Sequence, residues 1–310
     1  MQIIAMGSCL PEGILDNEQL SRMVETNDEW IVTRTGIRQR HIAHGETTLS
    51  LAAAAARQAM ERAGVAPDRI GLVVVCTFTP DQATPSTACL VQQELGLGQD
   101  VLAFDLNAAC SGFIYGLATA EGLLSRMEGR YGLVIGSEVI SRTVDYTDRG
   151  TCILFGDGAG AAVVSAEGPA AVADFGCNGD LAVLSAGVRR EDGSAAPLAM
   201  NGKEVFRFAV STVPASIRKL LDKAGLSLDE VDHIVCHQAN HRIVESIARH
   251  LQTDLGRFYE NIEFYGNTSA ASIPIALCEM QEKGLLHRGD TVLLAGFGSG
   301  LTWGSLLLTW

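Results

Sequence analysis

The stretch Ala55-Ala56-Arg57-Gln58-Ala59-Met60-Glu61-Arg62-Ala63-Gly64-Val65-Ala66-Pro67-Asp68-Arg69-Ile70-Gly71-Leu72-Val73-Val74-Val75-Cys76 has a second copy. It is Ser216-Ile217-Arg218-Lys219-Leu220-Leu221-Asp222-Lys223-Ala224-Gly225-Leu226-Ser227-Leu228-Asp229-Glu230-Val231-Asp232-His233-Ile234-Val235-Cys236-His237, with Gly225 standing 161 residues after Gly64. Each copy predicts an amphipathic helix stopped by glycine, a short turn carrying aspartate, and an apolar strand. A loop and a further helix follow, over about 86–95 and 240–251. Self-similarity at a fixed offset marks a duplicated architecture.

The correspondence continues along the chain. Ala103-Phe104-Asp105-Leu106 runs into Asn107-Ala108-Ala109-Cys110-Ser111-Gly112 and a helix. Its expected counterpart is a strand, Asn261-Ile262-Glu263-Phe264, running into Gly266-Asn267-Thr268-Ser269 and a helix. Tyr131-Gly132-Leu133-Val134-Ile135-Gly136 pairs with Asp290 to Gly296, and Phe155 to Val164 pairs with Phe297 to Leu306. The chain therefore reads as two βα halves, 1–170 and 171–310. The strands are nearly continuous apolar runs, as expected when helices cover both faces of a sheet. Ligands in such sheets bind beyond the carboxyl ends of strands, which points to the residues after Val75, Leu106, Val235 and Phe264.

Composition narrows the function. The 310 residues carry a net charge of −13, and 47% are apolar. Such a surface repels phosphate backbones, so nucleic-acid binding is not expected. No apolar run approaches the length of a membrane span, and residues 1–11 lack the basic and apolar regions of a signal peptide. Eight scattered cysteines without a Cys-x-x-Cys, most in apolar runs such as Ala88-Cys89-Leu90, read as buried reduced thiols of a cytoplasmic protein. The 33 glycines follow no collagen period and form no linker.

The strand ends supply Cys76, Cys110, His237 and Asn267. Cys110 opens a helix, where unpaired amides and the helix dipole would lower a thiol's pKa. Small neighbours at 108, 109, 111 and 112 leave room for a carbonyl. By position alone, Cys110 is equally well an inert buried cysteine, His237 a structural histidine and Asn267 a helix cap. The duplication favours a shared centre, since it puts Cys110 and Asn267 at equivalent junctions and His237 on a neighbouring strand end. His233, His237 and His241 lie on a strand and its end rather than one helix face, so no metal site is expected. The glycines of Gly296-Phe297-Gly298-Ser299-Gly300 lead into a strand rather than a helix. That excludes a nucleotide-phosphate loop but suits backbone N–H groups aimed at an oxyanion. Asp157 in Gly156-Asp157-Gly158 reads as structural.

Six motifs in order carry a resemblance over essentially the whole chain: Asp28 to Ile37, Ala108-Ala109-Cys110-Ser111-Gly112-Phe113, Phe155 to Ala161, His237-Gln238-Ala239-Asn240, Tyr265-Gly266-Asn267-Thr268-Ser269-Ala270, and Gly300-Leu301-Thr302-Trp303-Gly304. Together they resemble the β-ketoacyl-[acyl-carrier-protein] synthase III family of initiating condensing enzymes. The resemblance implies an α/β thiolase-like fold of five αβαβα layers and a homodimer. It implies Cys110 as acyl acceptor, His237 and Asn267 as donors to the enolate of decarboxylated malonyl-acyl carrier protein, and backbone N–H groups of Cys110 and Ser299 as the oxyanion hole. Family members often have glycine or alanine at the Ser299 position, which retains the N–H.

It further implies an acyl-CoA site at Trp30, Arg34, Arg149 and Asn240, with the CoA thioester a substrate and no cofactor. The acidic carrier protein needs a local basic patch, for which Arg207, Arg242 and Arg249 are candidates. Thr84, where some relatives carry an aromatic that limits the neighbouring subunit's acyl pocket, suggests primers longer than acetyl or branched. Three other readings stand beside this one. They are a Cys-His-Asn condensing enzyme of secondary metabolism, a non-catalytic acyl-CoA-binding partner subunit, and a cysteine hydrolase.

Overall fold

A computed structural model describes residues 1–310. The elements that position the site are, in chain order, β1 (Gln2–Cys9), α1 (Asp28–Thr35), α2 (Thr48–Ala63), β2 (Ile70–Cys76), α3 (Thr87–Glu94), β3 (Leu102–Leu106), α4 (Gly112–Leu124), β4 (Tyr131–Glu138), β5 (Gly158–Ser165), β6 (Val172–Cys177), α5 (Gly202–Ala224), β7 (His233–Cys236), α6 (His241–Leu251), α7 (Ser272–Glu282), β8 (Thr291–Gly298) and β9 (Thr302–Thr309).

The first sheet has the order β1-β5-β4-β2-β3 and the second β7-β8-β9-β6. In the first, β4 and β2 are parallel while β5 runs antiparallel to β4 and to β1. The second repeats this: β7 and β8 are parallel, and β9 runs antiparallel to β8 and β6. Three of the four strand correspondences read from the duplication hold, β2 with β7, β4 with β8 and β5 with β9.

The strand period of two sorts side chains into layers. Leu72, Val74 and Cys76 of β2 point to the middle of the molecule, where they meet Phe113, Leu117, Ile273 and Leu277 of α4 and α7. Val73 and Val75 point outward onto Leu51, Ala55 and Ala59 of α2. On the other sheet, Val292 and Leu294 face the middle, while Leu293 and Ala295 face Ile217, Leu220 and Ile247 of α5 and α6. Two helices between two sheets, with helices outside each, are the five αβαβα layers. Helix stops agree with the reading: Gly64 and Gly225 cap α2 and α5 in the left-handed conformation.

One expected strand is absent. Residues 261–264 do not form a counterpart to β3; Ile262–Tyr265 is a single helical turn. The chain is bent there by polar anchors. The Asn261 N–H donates to Gln238 Oε1 at 3.1 Å, and its side chain donates to Glu279 at 2.7 Å. Only a single bridge, Ile234 to Phe258, remains beside β7.

The cysteines also divide differently from their local sequence. Cys76, Cys110, Cys152, Cys236 and Cys278 are buried, but Cys89 and Cys177 are exposed and Cys9 is half-buried. Cys89 sits on a short helix whose other face is the packed one, so an apolar neighbourhood in sequence did not mean burial.

Candidate active site

Each half delivers a 3₁₀ turn to the interface of the two halves. Ala109–Ser111 precedes α4, and Ser269–Ala271 precedes α7. Both turns begin on a non-glycine residue with positive φ, Ala109 at 46° and Ser269 at 51°. Both are held by an asparagine two residues earlier: Ala109 N–H donates to Asn107 Oδ1 at 3.2 Å, and Ser269 N–H donates to Asn267 Oδ1 at 2.9 Å. The structural counterpart of Asn267 is therefore Asn107, and that of Cys110 is Ala270. The junctions are equivalent as read, but Cys110 and Asn267 are not at matching positions.

Close backbone approach explains two of the glycines. A Cβ on Gly298 would lie 2.7 Å from Cys110 Cβ and 3.0 Å from its sulfur. A Cβ on Gly136 would lie 2.2 Å from the Ala270 carbonyl oxygen. Only glycine lets β8 pass beside the thiol and β4 beside the second turn.

Cys110, His237 and Asn267 line one cleft of about 520 Å³. Cys110 also lines a smaller cavity of about 140 Å³ on the far side, with Phe78, Leu184, Leu198, Ser269 and Ser299. Cys110 thus stands between a wide cleft and a smaller pocket. The backbone N–H groups of Cys110 and Ser299 point toward the sulfur and favour its anion.

The expected lowering of the Cys110 pKa does not occur. Burial outweighs the turn's amides and the Ser269 hydroxyl, and the thiol is pushed up to about 12. The residue sits inside a 3₁₀ turn ahead of the helix and is buried, so desolvation of the thiolate dominates. Cys76, the fourth strand-end candidate, is raised as well by burial and packs in the central layer.

His237 is 1% exposed, and burial alone lowers its pKa to about 3, so the imidazole is neutral. Its Nδ1 lies 2.7 Å from Ser272 Oγ. That hydroxyl oxygen also receives the Gln238 N–H at 3.4 Å. The Ser272 proton is then free to go to Nδ1, which leaves Nε2–H directed into the cleft. Phe297 packs edge-on against the ring at 5.3 Å. Asn267 Oδ1 is occupied by Ser269 N–H, so its Nδ2 group is the available one. The centre offers one buried thiol and two neutral donors.

The other residues read from the sequence distribute as follows. Trp30, Arg34, Arg149, Asn240 and Arg242 line the wide cleft. The Trp30 ring has the Arg34 guanidinium carbon 4.5 Å from its centroid and that of Arg149 at 5.2 Å. Asn240 caps α6 by accepting the Arg242 N–H at 2.9 Å. Arg207 and Arg249 lie outside the cleft, paired with Glu204 at 3.5 Å and Glu245 at 3.2 Å. Thr84 is exposed and lines neither cavity of its own chain. Asp157 is a structural staple as read, accepting from Ala43 N–H at 2.8 Å and Ser141 N–H at 2.9 Å. His233 and His241 go to separate carboxylates, Asp290 and Glu260, each at 3.0 Å.

Sequence reasoning missed Lys203 and Phe206 of the cleft, Ser272 behind the histidine, and Glu138 and Ser269 behind the thiol. A weak signal for Ser269 and Ser272 existed. Ser269, three residues after Gly266, lies within the motif already singled out, and Ser272 stands two residues past its end.

Comparison with known proteins covers the whole chain. Residues 104–180 match the family model described as 3-oxoacyl-[acyl-carrier-protein (ACP)] synthase III, and residues 221–310 match its C-terminal counterpart. Among curated relatives, the β-ketoacyl-[acyl-carrier-protein] synthase III of Clostridium acetobutylicum is 43% identical over 100% of this chain and 98% of its own length. That of Clostridium botulinum strain Hall is 44% identical over the same shares. Among solved structures, the 3-oxoacyl-[acyl-carrier-protein] synthase III of Aquifex aeolicus superimposes with a TM-score of 0.93 at 43% identity, covering 100% of this chain and 99% of that one. The priming β-ketosynthase of the R1128 polyketide pathway gives 0.94 at 35% identity, covering 99% and 95%.

Proposed function

The chain belongs to the β-ketoacyl-[acyl-carrier-protein] synthase III family, and from that premise we propose that it condenses an acyl-CoA primer with malonyl-acyl carrier protein. The products are β-ketoacyl-acyl carrier protein, CO₂ and coenzyme A, and the reaction starts fatty-acid synthesis. The observation that carries this reading is the convergence of Cys110, neutral His237 and Asn267 on one cleft.

The steps follow from the donor set. Cys110 sulfur attacks the primer thioester, with the Cys110 and Ser299 N–H groups receiving the oxyanion. The acyl chain then lies in the 140 Å³ pocket. Malonyl thioester enters by the wide cleft and loses CO₂. His237 Nε2–H and Asn267 Nδ2–H stabilise the enolate oxygen, which two neutral donors do without a compensating proton transfer. The enolate carbon attacks the acyl carbon of acyl-Cys110, the carbon–sulfur bond breaks with its pair on the Cys110 sulfur, and that thiolate takes up a proton to restore the thiol.

Coenzyme A is a substrate here, stacked at Trp30 with Arg34 and Arg149 near its phosphates and Asn240 near its arm. Arg242 on the cleft rim, supported by Arg207 and Arg249 on the helices whose first turns border the cleft, is the proposed carrier dock. We place the enzyme in the cytoplasm as a homodimer, with Thr84 on an exposed loop (free to enter a partner's acyl pocket) and primers larger than acetyl accepted. No helix of the chain is long and apolar enough to cross a membrane.

The test is incubation with malonyl-acyl carrier protein and a panel of acyl-CoAs, followed by mass. Cys110→Ser is expected to lose the acyl-enzyme. His237→Ala and Asn267→Ala are expected to keep it and lose decarboxylation; loss of acylation alone in either overturns the roles. Condensation of acetyl-CoA only overturns the primer reading, and free acid as product indicates a hydrolase.

A further inference from the structure

The oxyanion hole uses the Ser299 N–H and leaves the Ser299 side chain without a task. That side chain is nevertheless engaged, since its hydroxyl donates to the Leu184 carbonyl at 2.7 Å. Leu184 opens a short hairpin in which Leu184–Ser185 pairs antiparallel with Ala199–Met200. In an antiparallel ladder, alternate residues bond across the pair. Asn201 N–H donates to the Val183 carbonyl at 2.8 Å, so Val183 faces the partner strand and the Leu184 carbonyl faces away from it. There it meets Ser299, the first residue after β8.

Leu184 is a wall of both cavities, beside Met200 in the wide cleft and beside Leu198 in the smaller pocket. Four bonds latch residues 178–184 to the loop after β8. Three are backbone bonds that any residue types would make. Asn178 N–H donates to the Leu301 carbonyl at 2.8 Å, Leu301 N–H to the Asn178 carbonyl at 2.6 Å, and Asp180 N–H to the Gly300 carbonyl at 2.8 Å. The fourth reaches the wall itself and needs a hydroxyl at 299. Glycine or alanine there would supply the oxyanion N–H and no latch. Leu198 is tied elsewhere, its N–H donating to the Thr143 carbonyl at 2.8 Å, so the two leucines of the pocket are held from different sides.

We propose that the Ser299 hydroxyl determines primer size: by holding Leu184 it fixes the wall of the acyl pocket. The proposal rests on Cys110 being the acyl acceptor. The pocket measures about 140 Å³. An apolar cavity of about 150 Å³ admits benzene, so acyl groups of up to about six carbons fit with the wall in place. Longer ones must displace Leu184 toward the cleft, which breaks its bond to Ser299. The hydroxyl therefore charges one neutral hydrogen bond against long primers and nothing against short ones. Ser299 does this through Leu184, as a positioning residue, while its N–H serves every primer alike.

The experiment compares the second-order rates of acyl-Cys110 formation from butyryl-CoA and octanoyl-CoA, read by intact mass. The proteins are wild type, Ser299→Ala, Leu184→Ala and the double variant. Wild type is expected to prefer butyryl. Ser299→Ala should raise the octanoyl-to-butyryl ratio about 2- to 10-fold, the worth of one neutral hydrogen bond. Any shared effect on the oxyanion hole cancels in this ratio. Leu184→Ala removes the wall and should raise the ratio too; adding Ser299→Ala to it should then change the ratio by less than about twofold. An unchanged ratio in Ser299→Ala overturns the proposal, as does a wild type that prefers octanoyl. A rise that repeats in full on the Leu184→Ala background also overturns it, being the signature of the lost oxygen's own volume. Absence of acyl-Cys110 with both primers would instead refute the nucleophile assignment.

Discussion

Ser272→Ala isolates what holds the histidine in its working form. In the wild type the imidazole is buried, neutral and tied by one hydrogen bond, Nδ1 to Ser272 Oγ at 2.7 Å. Removing that hydroxyl leaves a buried ring nitrogen unpaired, at about 1–3 kcal/mol. The neutral ring then gains by moving its proton to Nδ1, or by turning, and either change withdraws Nε2–H from the enolate oxygen. If the whole penalty falls on the decarboxylating transition state, the rate drops about 5- to 150-fold. Acylation of Cys110 does not use this donor and should stay within about twofold of wild type, a difference of only about 0.4 kcal/mol. The assay is CO₂ release from malonyl-acyl carrier protein by pre-acylated enzyme, beside the acyl-enzyme burst measured by mass. Thermal unfolding of both proteins serves as the control for folding. Equal loss in both half-reactions, or no loss in decarboxylation, would refute the tautomer argument.

Four further outcomes follow from the geometry. Gly298→Ala puts a methyl 2.7 Å from Cys110 Cβ; it should destabilise the protein by about 1–3 kcal/mol and slow acylation, measured by denaturant unfolding and the burst. Trp30→Ala removes the ring against which Arg34 and Arg149 stack; KM for acyl-CoA should rise several-fold with kcat nearly unchanged. Arg242→Glu should raise KM for the carrier-protein substrate more than Arg249→Glu, because Arg249 is outside the cleft and already paired with Glu245. Finally, His237 has its folded pKa depressed to about 3 from 6.5. Between those values the unfolded chain binds the extra proton, so wild-type stability is present above pH 6.5 and falls as pH drops toward 3. Relative to His237→Gln, wild type should lose about 1.4 kcal/mol per pH unit in that window. Urea unfolding at pH 7, 6 and 5 measures it, and a constant difference would contradict the burial of a neutral ring.

The duplicated helix–turn–strand pattern was enough to match most strands of one sheet to those of the other and to put Cys110 and His237 just after strands. These features are local: glycine stops, apolar runs of strand length and loops at fixed spacing are written in consecutive residues. Residues 261–264 departed from the pattern because their backbone is held by side chains of 238 and 279, which no local reading contains. The match of Asn107 to Asn267, rather than of Cys110, emerged only from two backbone hydrogen bonds and two positive φ values.

Electrostatics depended most on the tertiary structure. A helix start argued for a lowered thiol pKa, yet the packing of β8 and the second 3₁₀ turn over Cys110 desolvates it and reverses the sign. His237, tied to Ser272, and Asn267 come to one cleft with Cys110 only in the folded chain. The sequence by itself determined the duplicated α/β architecture and that Cys110 and His237 follow strands, since periodicity and glycine placement act over a few residues. Only the tertiary structure decided which of those side chains meet, how dry they are and which proton each carries, because burial and hydrogen-bond partners come from residues outside any local window, such as Ser272 and Phe297 around His237.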